Sequence, residues 1–362
     1  MTTREEVYKI LKKYKPKIDK SMERYVPRRF DEETLEKILG KARYVYNVET
    51  LQESLAKPIW EFLDRGGKRM RPVMMILVYE AFGGSDKDIM NYVASPELFH
   101  NGTLMVDDIE DKSEKRRGKP CTHKIFGEDI AINAGNTLYF FAFLPFRYNR
   151  DELGEEMLNK AYELLLDEFL RVSAGQGMDI AWHNGLSNAD TIGEAEYLQM
   201  CSYKTGCLTR LSAKLGALLA EAPEDDIEKV GLLAEKIGVA FQIQDDILDV
   251  TSEEFKEGKG ELGHDIKEGK RTLIAINALE EAEENDRERL LEILKKETEE
   301  TTDEEVREAI DIFKKYGSIE YSKRKAREMV KHAWKEAEGV LEAGEAKEDL
   351  RSFADYLVER RI

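Results

Sequence analysis

Apolar positions recur along most of this chain at the three-and-four spacing of a helix. No segment alternates at the two-residue period of a strand before a hairpin turn. Residues 1–30 read as a basic amphipathic extension, with Lys12, Lys13, Lys15, Lys17 and Lys20 close together. Helical periodicity runs over about 31–63, until Asp64-Arg65-Gly66-Gly67-Lys68-Arg69-Met70-Arg71-Pro72 interrupts it. The paired glycines break the helix, and Pro72 suits the first turn of the next one. A long apolar segment covers about 87–111, and helical stretches follow at about 127–146, 152–182, 188–220 (with a local break) and 224–250. Residues 251–270 are polar and glycine-rich, and 271–362 read as charged amphipathic helix with a polar break near 297–303. Helix formers dominate and proline is scarce, at 8 residues in 362. The pattern predicts an all-α chain, with an extension at 1–30 and a single all-α domain at 31–362.

Two acidic stretches stand out against this pattern, Asp107-Asp108-Ile109-Glu110-Asp111 and Asp245-Asp246-Ile247-Leu248-Asp249. Each places aspartates at i, i+1 and i+4 within an apolar context, and on a helix that spacing projects three carboxylates from one face. With 74 acidic residues in the chain, one such stretch is ordinary surface. Two copies with the same spacing beside Leu104-Met105-Val106 and Phe241-Gln242-Ile243 need a reason, because aspartates on an apolar face cost free energy. Hard divalent cations with oxygen ligands supply one, and magnesium held by carboxylates commonly also holds phosphates. The expectation is two helices facing each other across a magnesium–diphosphate site.

The net charge of −18 argues against nucleic acid as the main partner. Three cysteines, Cys121, Cys201 and Cys207, have no metal-type spacing and form an odd set, which reads as free thiols in a reducing cytoplasm. No segment holds about 18 uninterrupted apolar residues, so no membrane span is expected.

Cations cluster near the acidic stretches. Lys68, Arg69 and Arg71 flank the Gly66-Gly67 turn and suit an anion. His100 lies two turns before Asp107 on the same side of its helix, where a satisfied core histidine and a functional one are about equally expected. Arg116-Arg117 follows in a basic loop, and guanidinium forks match phosphate oxygens. Lys259 and Lys270 sit in the glycine-rich 251–270 segment, which reads as a lid whose cations reach phosphates on closure.

Taken together, these residues resemble the trans-isoprenyl diphosphate synthases, or polyprenyl synthetases. Gly66-Gly67-Lys68-Arg69-Met70-Arg71-Pro72 is similar to that family's GGKRxRP, and Asp107 to Gly118 fits DDxxDxxxxRRG without a gap. Lys204-Thr205 resembles its KT pair, residues 241–249 its FQxxDDxxD, and Gly269-Lys270-Arg271-Thr272 the GKxT that follows. The resemblance implies an antiparallel helical bundle around a central active-site cavity, a homodimer, and head-to-tail condensation of an allylic diphosphate with isopentenyl diphosphate. It also implies magnesium bound by Asp107, Asp108, Asp111 and Asp245, supported by Asp246 and Asp249. Arg117, Lys204 and Lys270 would contact the allylic diphosphate. Gly67, Lys68, Arg71, His100 and Arg116 would form the isopentenyl diphosphate site, and Thr205 and Gln242 would line the reacting centre. The departing diphosphate would serve as proton acceptor.

The sequence departs from the family pattern at Val106, where many members carry His, at Gly135-Asn136 in place of Gly-Asp, and at Gly102, where short-chain members carry an aromatic. The last departure makes Phe99, Gly102 and Thr103 the expected chain-length residues and predicts a product of twenty carbons or more. A class I terpene cyclase, a non-catalytic helical subunit and an acidic scaffold are the competing readings. Both acidic stretches being intact, beside Lys68, Arg71 and His100, favours two diphosphate substrates.

Overall fold

The computed structural model describes residues 3–251 and 262–359. They are helical almost throughout, as the apolar spacing predicts. Among them the one sheet is a pair of two-residue strands, Lys115–Arg116 against Lys119–Pro120. Pattern analysis misses so short a ribbon because two residues carry no period. Its turn is Arg117-Gly118, both with positive φ (55° and 76°), the geometry of a tight two-residue hairpin that matches strand twist.

Backbone contacts group the chain into two compact units. The first comprises residues 1–165, 212–224 and 342–350, and the second 166–211, 225–341 and 351–362.

In the first unit, the basic N-terminal stretch forms the helix Thr3–Tyr25. Its Val7, Ile10, Leu11, Tyr14, Ile18, Met22 and Tyr25 are all buried, so one face is core and the lysines lie around the other. The helix Met70–Ala81 is buried on nearly every side, and Pro72 stands in its first turn. The region expected as one apolar helix over 87–111 is two pieces, Asp86–Ile89 and Ala94–Glu110. Ala94–Glu110 crosses Glu128–Phe141 at two glycines. A Cβ on Gly102 would lie 2.6 Å from the Gly135 carbonyl oxygen, and one on Gly135 would lie 3.1 Å from that of Gly102. Backbones this close require residues without side chains at the crossing.

In the second unit, the second acidic stretch lies near the end of the long helix Glu224–Thr251. Glu194–Cys201 leads into a single π turn at Ser202–Gly206, which supplies the break expected within 188–220. The tail is several helices, not one with a single break. Leu273–Glu281 is capped by Thr272, and its first six residues are buried. Asp303–Lys315 begins with a Thr302/Glu305 capping box. Ser318–Ala337 follows, entered through a left-handed Gly317.

Candidate active site

The first unit carries Asp107 and Asp108 in the last turn of Ala94–Glu110, with Asp111 as its C-cap. Asp107 and Asp111 are partly accessible and one turn apart, whereas Asp108 is fully buried. Burial pushes the Asp108 carboxyl up, and the Arg116 guanidinium opposes that push. Arg116 Nε donates to Asp108 Oδ1 at 2.7 Å, and Arg116 Nη2 lies 3.4 Å from Asp107 Oδ2. The hairpin turn sends Arg117 elsewhere: it donates to the Gly66 carbonyl and, at 3.1 Å, to Asn101 Oδ1. The resemblance assigns Arg117 to the carboxylate side and Arg116 to the glycine turn. The geometry reverses that division: Arg116 is extended in a strand and Arg117 is the first left-handed residue of the turn, so the two side chains leave in different directions.

Around the glycine turn the cations are dense. His100 is half-buried, and its imidazole is driven well below the usual range by desolvation and then by Arg71, Arg117, Arg116 and Arg69. It is therefore neutral at pH 7 and offers one N–H donor. Desolvation, with neighbouring Arg69, Arg116 and Arg65 against the pull of Glu97, lowers Arg117 to about 10. Partly desolvated guanidiniums crowding one another are the electrostatic complement of a multiply charged anion. Arg69 is not among the cations left to bind it. Its side chain is buried and ion-paired to Glu97 (2.9 Å) and Asp19 (2.8 Å), so the sequence reading of three anion-binding cations loses Arg69.

The expected chain-length residues part company. Phe99 is buried with its ring centroid 4.9 Å from that of Tyr139, and Thr103 donates back to the His100 carbonyl at 2.8 Å. Gly102 faces the Gly135 carbonyl, Tyr139 and Leu138. It is a packing glycine, which corrects its assignment as an open gate on the path of a growing tail.

The second unit ties its expected residues into three polar groups, Lys204 with Asp179, Thr205 with Gln242 and Asp246, and Asp249 with Asp265 and Lys270. The π turn presents Lys204 to Asp179 Oδ2 at 2.5 Å and Thr205 to Gln242 Oε1 at 3.0 Å. Gln242 Nε2 donates to Asp246 Oδ1 at 2.9 Å, and the buried Tyr197 hydroxyl donates to Asp246 Oδ2 at 2.6 Å. Desolvation and the adjoining carboxylate hold that phenol well above its usual range, so it remains a donor. Asp249 Oδ2 accepts from the Asp265 backbone N–H at 3.1 Å, and both Asp246 and Asp249 are buried. Asp245 is the partly accessible member. Lys270 is ion-paired to Glu268 (2.6 Å) and Asp265 (3.3 Å). Burial opposes its charge, yet these two carboxylates leave its pKa well above the usual lysine value. His264, Asp265 and Glu268 could group around a metal, but the Lys270 ammonium already neutralises two of them. Lys259 lies outside the described residues.

Asp179 and Tyr197 join these polar groups without a signal in the linear sequence. Asp179 closes a segment of note, Gly175-Gln176-Gly177-Met178-Asp179, but nothing local ties it to Lys204, 25 positions away. Asn101 and Glu97, which hold Arg117 and Arg69, were likewise masked as ordinary positions of an apolar helix.

Residues 52–313 match the family model described as polyprenyl synthetase. The chain belongs to the polyprenyl synthetase family. It is 39% identical over 308 residues to a short chain isoprenyl diphosphate synthase of Methanothermobacter thermautotrophicus, covering 85% of this chain and 91% of that one. It is 35% identical over 317 residues to a geranylgeranyl pyrophosphate synthase of Geoglobus acetivorans, covering 85% and 91%. The crystal structure of geranylgeranyl pyrophosphate synthetase from Pyrococcus horikoshii superposes with a TM-score of 0.83 at 32% identity and covers 99% of both chains. As a polyprenyl synthetase the chain is a prenyltransferase of all-α fold, and the cyclase, subunit and scaffold readings fall away. Among the described residues no helix is long and apolar enough to cross a membrane.

Proposed function

We propose that this polyprenyl synthetase condenses an allylic diphosphate with isopentenyl diphosphate head to tail, giving a trans-polyprenyl diphosphate of twenty carbons or more. The observation that carries the reading is the pairing of two kinds of site. One is an acidic cluster in each unit, with Asp107 and Asp111 partly accessible in the first, in front of buried, ion-paired Asp108, and Asp245 partly accessible in the second, in front of buried, hydrogen-bonded Asp246. The other is a cation cluster of Arg71, His100 and Arg117 beside a glycine turn that Lys68 follows, with Glu97 and Asp19 engaged by Arg69. An ionising substrate needs the first and a non-ionising diphosphate needs only the second.

The donor set fits magnesium. It is all oxygen, anionic and partly open, which suits a hard cation that keeps waters and substrate phosphates. Asp107 and Asp111 would hold it in the first unit, with Asp108 behind them, and Asp245 in the second, with Asp246 and Asp249 behind it. When bound, the metal would supply charge stabilisation for the departing diphosphate. The chain's own part is to add Arg116, Lys204 and Lys270 to that stabilisation and to aim Thr205 and Gln242 at the reacting carbons. A homodimer accords with the broad exposed face of Glu128–Phe141, where Ile132 is 41% and Phe140 71% exposed. A cytoplasmic location accords with three buried free thiols.

The test is product analysis with labelled isopentenyl diphosphate and allylic primers of five, ten, fifteen and twenty carbons, with and without magnesium. Elongated products of at least twenty carbons are expected only with magnesium. A distribution ending at fifteen carbons would overturn the chain-length part, and incorporation in EDTA would overturn the metal part.

A further inference from the structure

The N-terminal helix carries more than core packing. Lys15 and Asp19 lie one turn apart on the helix Thr3–Tyr25, and both reach the glycine turn. Lys15 Nζ donates to the Gly67 carbonyl at 2.7 Å, and Asp19 Oδ1 accepts from Arg69 Nε at 2.8 Å. The turn between them is held in an unusual backbone. Gly66 and Gly67 have φ of 83° and 146°, and Arg69, with a side chain, sits at 57°. Left-handed backbone at a non-glycine residue is strained and persists only where surrounding contacts impose it. Those contacts come from three directions: Arg117 on the Gly66 carbonyl, Glu97 on Arg69, and the N-terminal helix on Gly67 and Arg69.

The Lys15 bond also has a direction. In a trans peptide the C=O and the following N–H point opposite ways. Fixing the Gly67 carbonyl toward Lys15 therefore turns the Lys68 N–H away from the helix and sets where the Lys68 and Arg71 side chains begin. Lys15 is half-buried, whereas Lys12 and Lys13, on the same helix, are exposed.

We infer that Lys15 and Asp19 are positioning residues for the isopentenyl diphosphate site: they hold the Gly66–Arg69 turn in the shape that presents Lys68 and Arg71 to the diphosphate. The inference rests on the proposed condensation. It gives the basic extension a role in binding one of the two substrates and not the other.

Steady-state kinetics on the full chain test it, with Lys15→Met, Lys15→Arg, Asp19→Asn and the exposed control Lys12→Met. Lys15→Met and Asp19→Asn are expected to raise KM for isopentenyl diphosphate about ten-fold, as loss of binding common to ground and transition states does. Both the allylic KM and kcat should stay within about two-fold, Lys15→Arg should recover most of the effect, and Lys12→Met should match the parent. A purely structural role would lower the active fraction, and so kcat, without moving either KM. That result, an equal rise in both KM values, or unchanged kinetics in Asp19→Asn where Lys15→Met does not fold, overturns the inference. A parent chain that fails to use isopentenyl diphosphate at all would instead refute the proposed function.

Discussion

Replacing Gly102 with alanine separates a packing role from a chain-length role. The added Cβ would lie 2.6 Å from the Gly135 carbonyl oxygen, 2.9 Å from Tyr139 Cδ1 and 3.0 Å from Leu138 Cβ. A carbon and a carbonyl oxygen rest at about 3.3 Å or more, so the two helices must part by roughly 0.7 Å where they cross. The nearest atom is backbone and cannot rotate away. Overpacking of this kind costs about 1–3 kcal/mol, and alanine's better helix propensity returns about 1 kcal/mol. With backbone as the obstacle the overpacking cost falls in the upper part of that range, about 2–3 kcal/mol, so net destabilisation of about 1–2 kcal/mol follows. Gly135→Ala is the internal comparison: its Cβ first meets Val106 Cγ2 at 2.9 Å, a side-chain methyl able to shift, and then the Gly102 carbonyl at 3.1 Å. Its penalty should nearly cancel against the same propensity gain, leaving a change within about 0.5 kcal/mol. Urea unfolding followed by circular dichroism reads both, as midpoint shifts at constant slope. Gly102→Phe should lose folded protein before it changes products. A Gly102→Ala chain as stable as the parent, or a folded Gly102→Phe chain with shortened products, would refute the packing argument and return Gly102 to the tail's path.

Asp107→Ala or Asp245→Ala should reduce turnover by several orders of magnitude while circular dichroism stays at the parent level, because under the proposed function each removes a partly accessible metal ligand; near-parent turnover at saturating magnesium contradicts this. His100 should titrate below the ordinary imidazole range in the free chain, since desolvation and four arginines disfavour its charged form. Imidazole NMR titration checks it, and a midpoint above 6.5 would be the contrary result. Added pyrophosphate should raise that midpoint by supplying the missing negative charge. Phe140→Glu places a charge on the exposed apolar face and should shift the oligomer toward monomer in light scattering, with no change if that face meets water alone.

Much of this protein was legible in its linear order. The helical period marks helices because burial of one face repeats every 3.6 residues, and the spacing of Asp107, Asp108 and Asp111 fixes three carboxylates to one end of one helix whatever surrounds it. The same holds for Lys204-Thr205 and for Gln242 with Asp245 and Asp246, since local spacing survives folding unchanged. Sequence could not rank those carboxylates. Asp108, Asp246 and Asp249 are buried while Asp107, Asp111 and Asp245 are partly open, and only neighbours distant in the chain impose that difference. Nor could it divide Arg116 from Arg117, because which way each guanidinium goes depends on the two-residue strand at Arg116 and the left-handed turn that starts at Arg117. Tyr197, Asp179, Lys15 and Asp19 gained their roles through hydrogen bonds spanning 25 to 52 positions. Gly102 shows the limit most sharply. Its missing side chain is read directly from the sequence, but whether the space left is a path for substrate or a seat for another helix depends on what the fold packs against it, and there it is the backbone of Gly135.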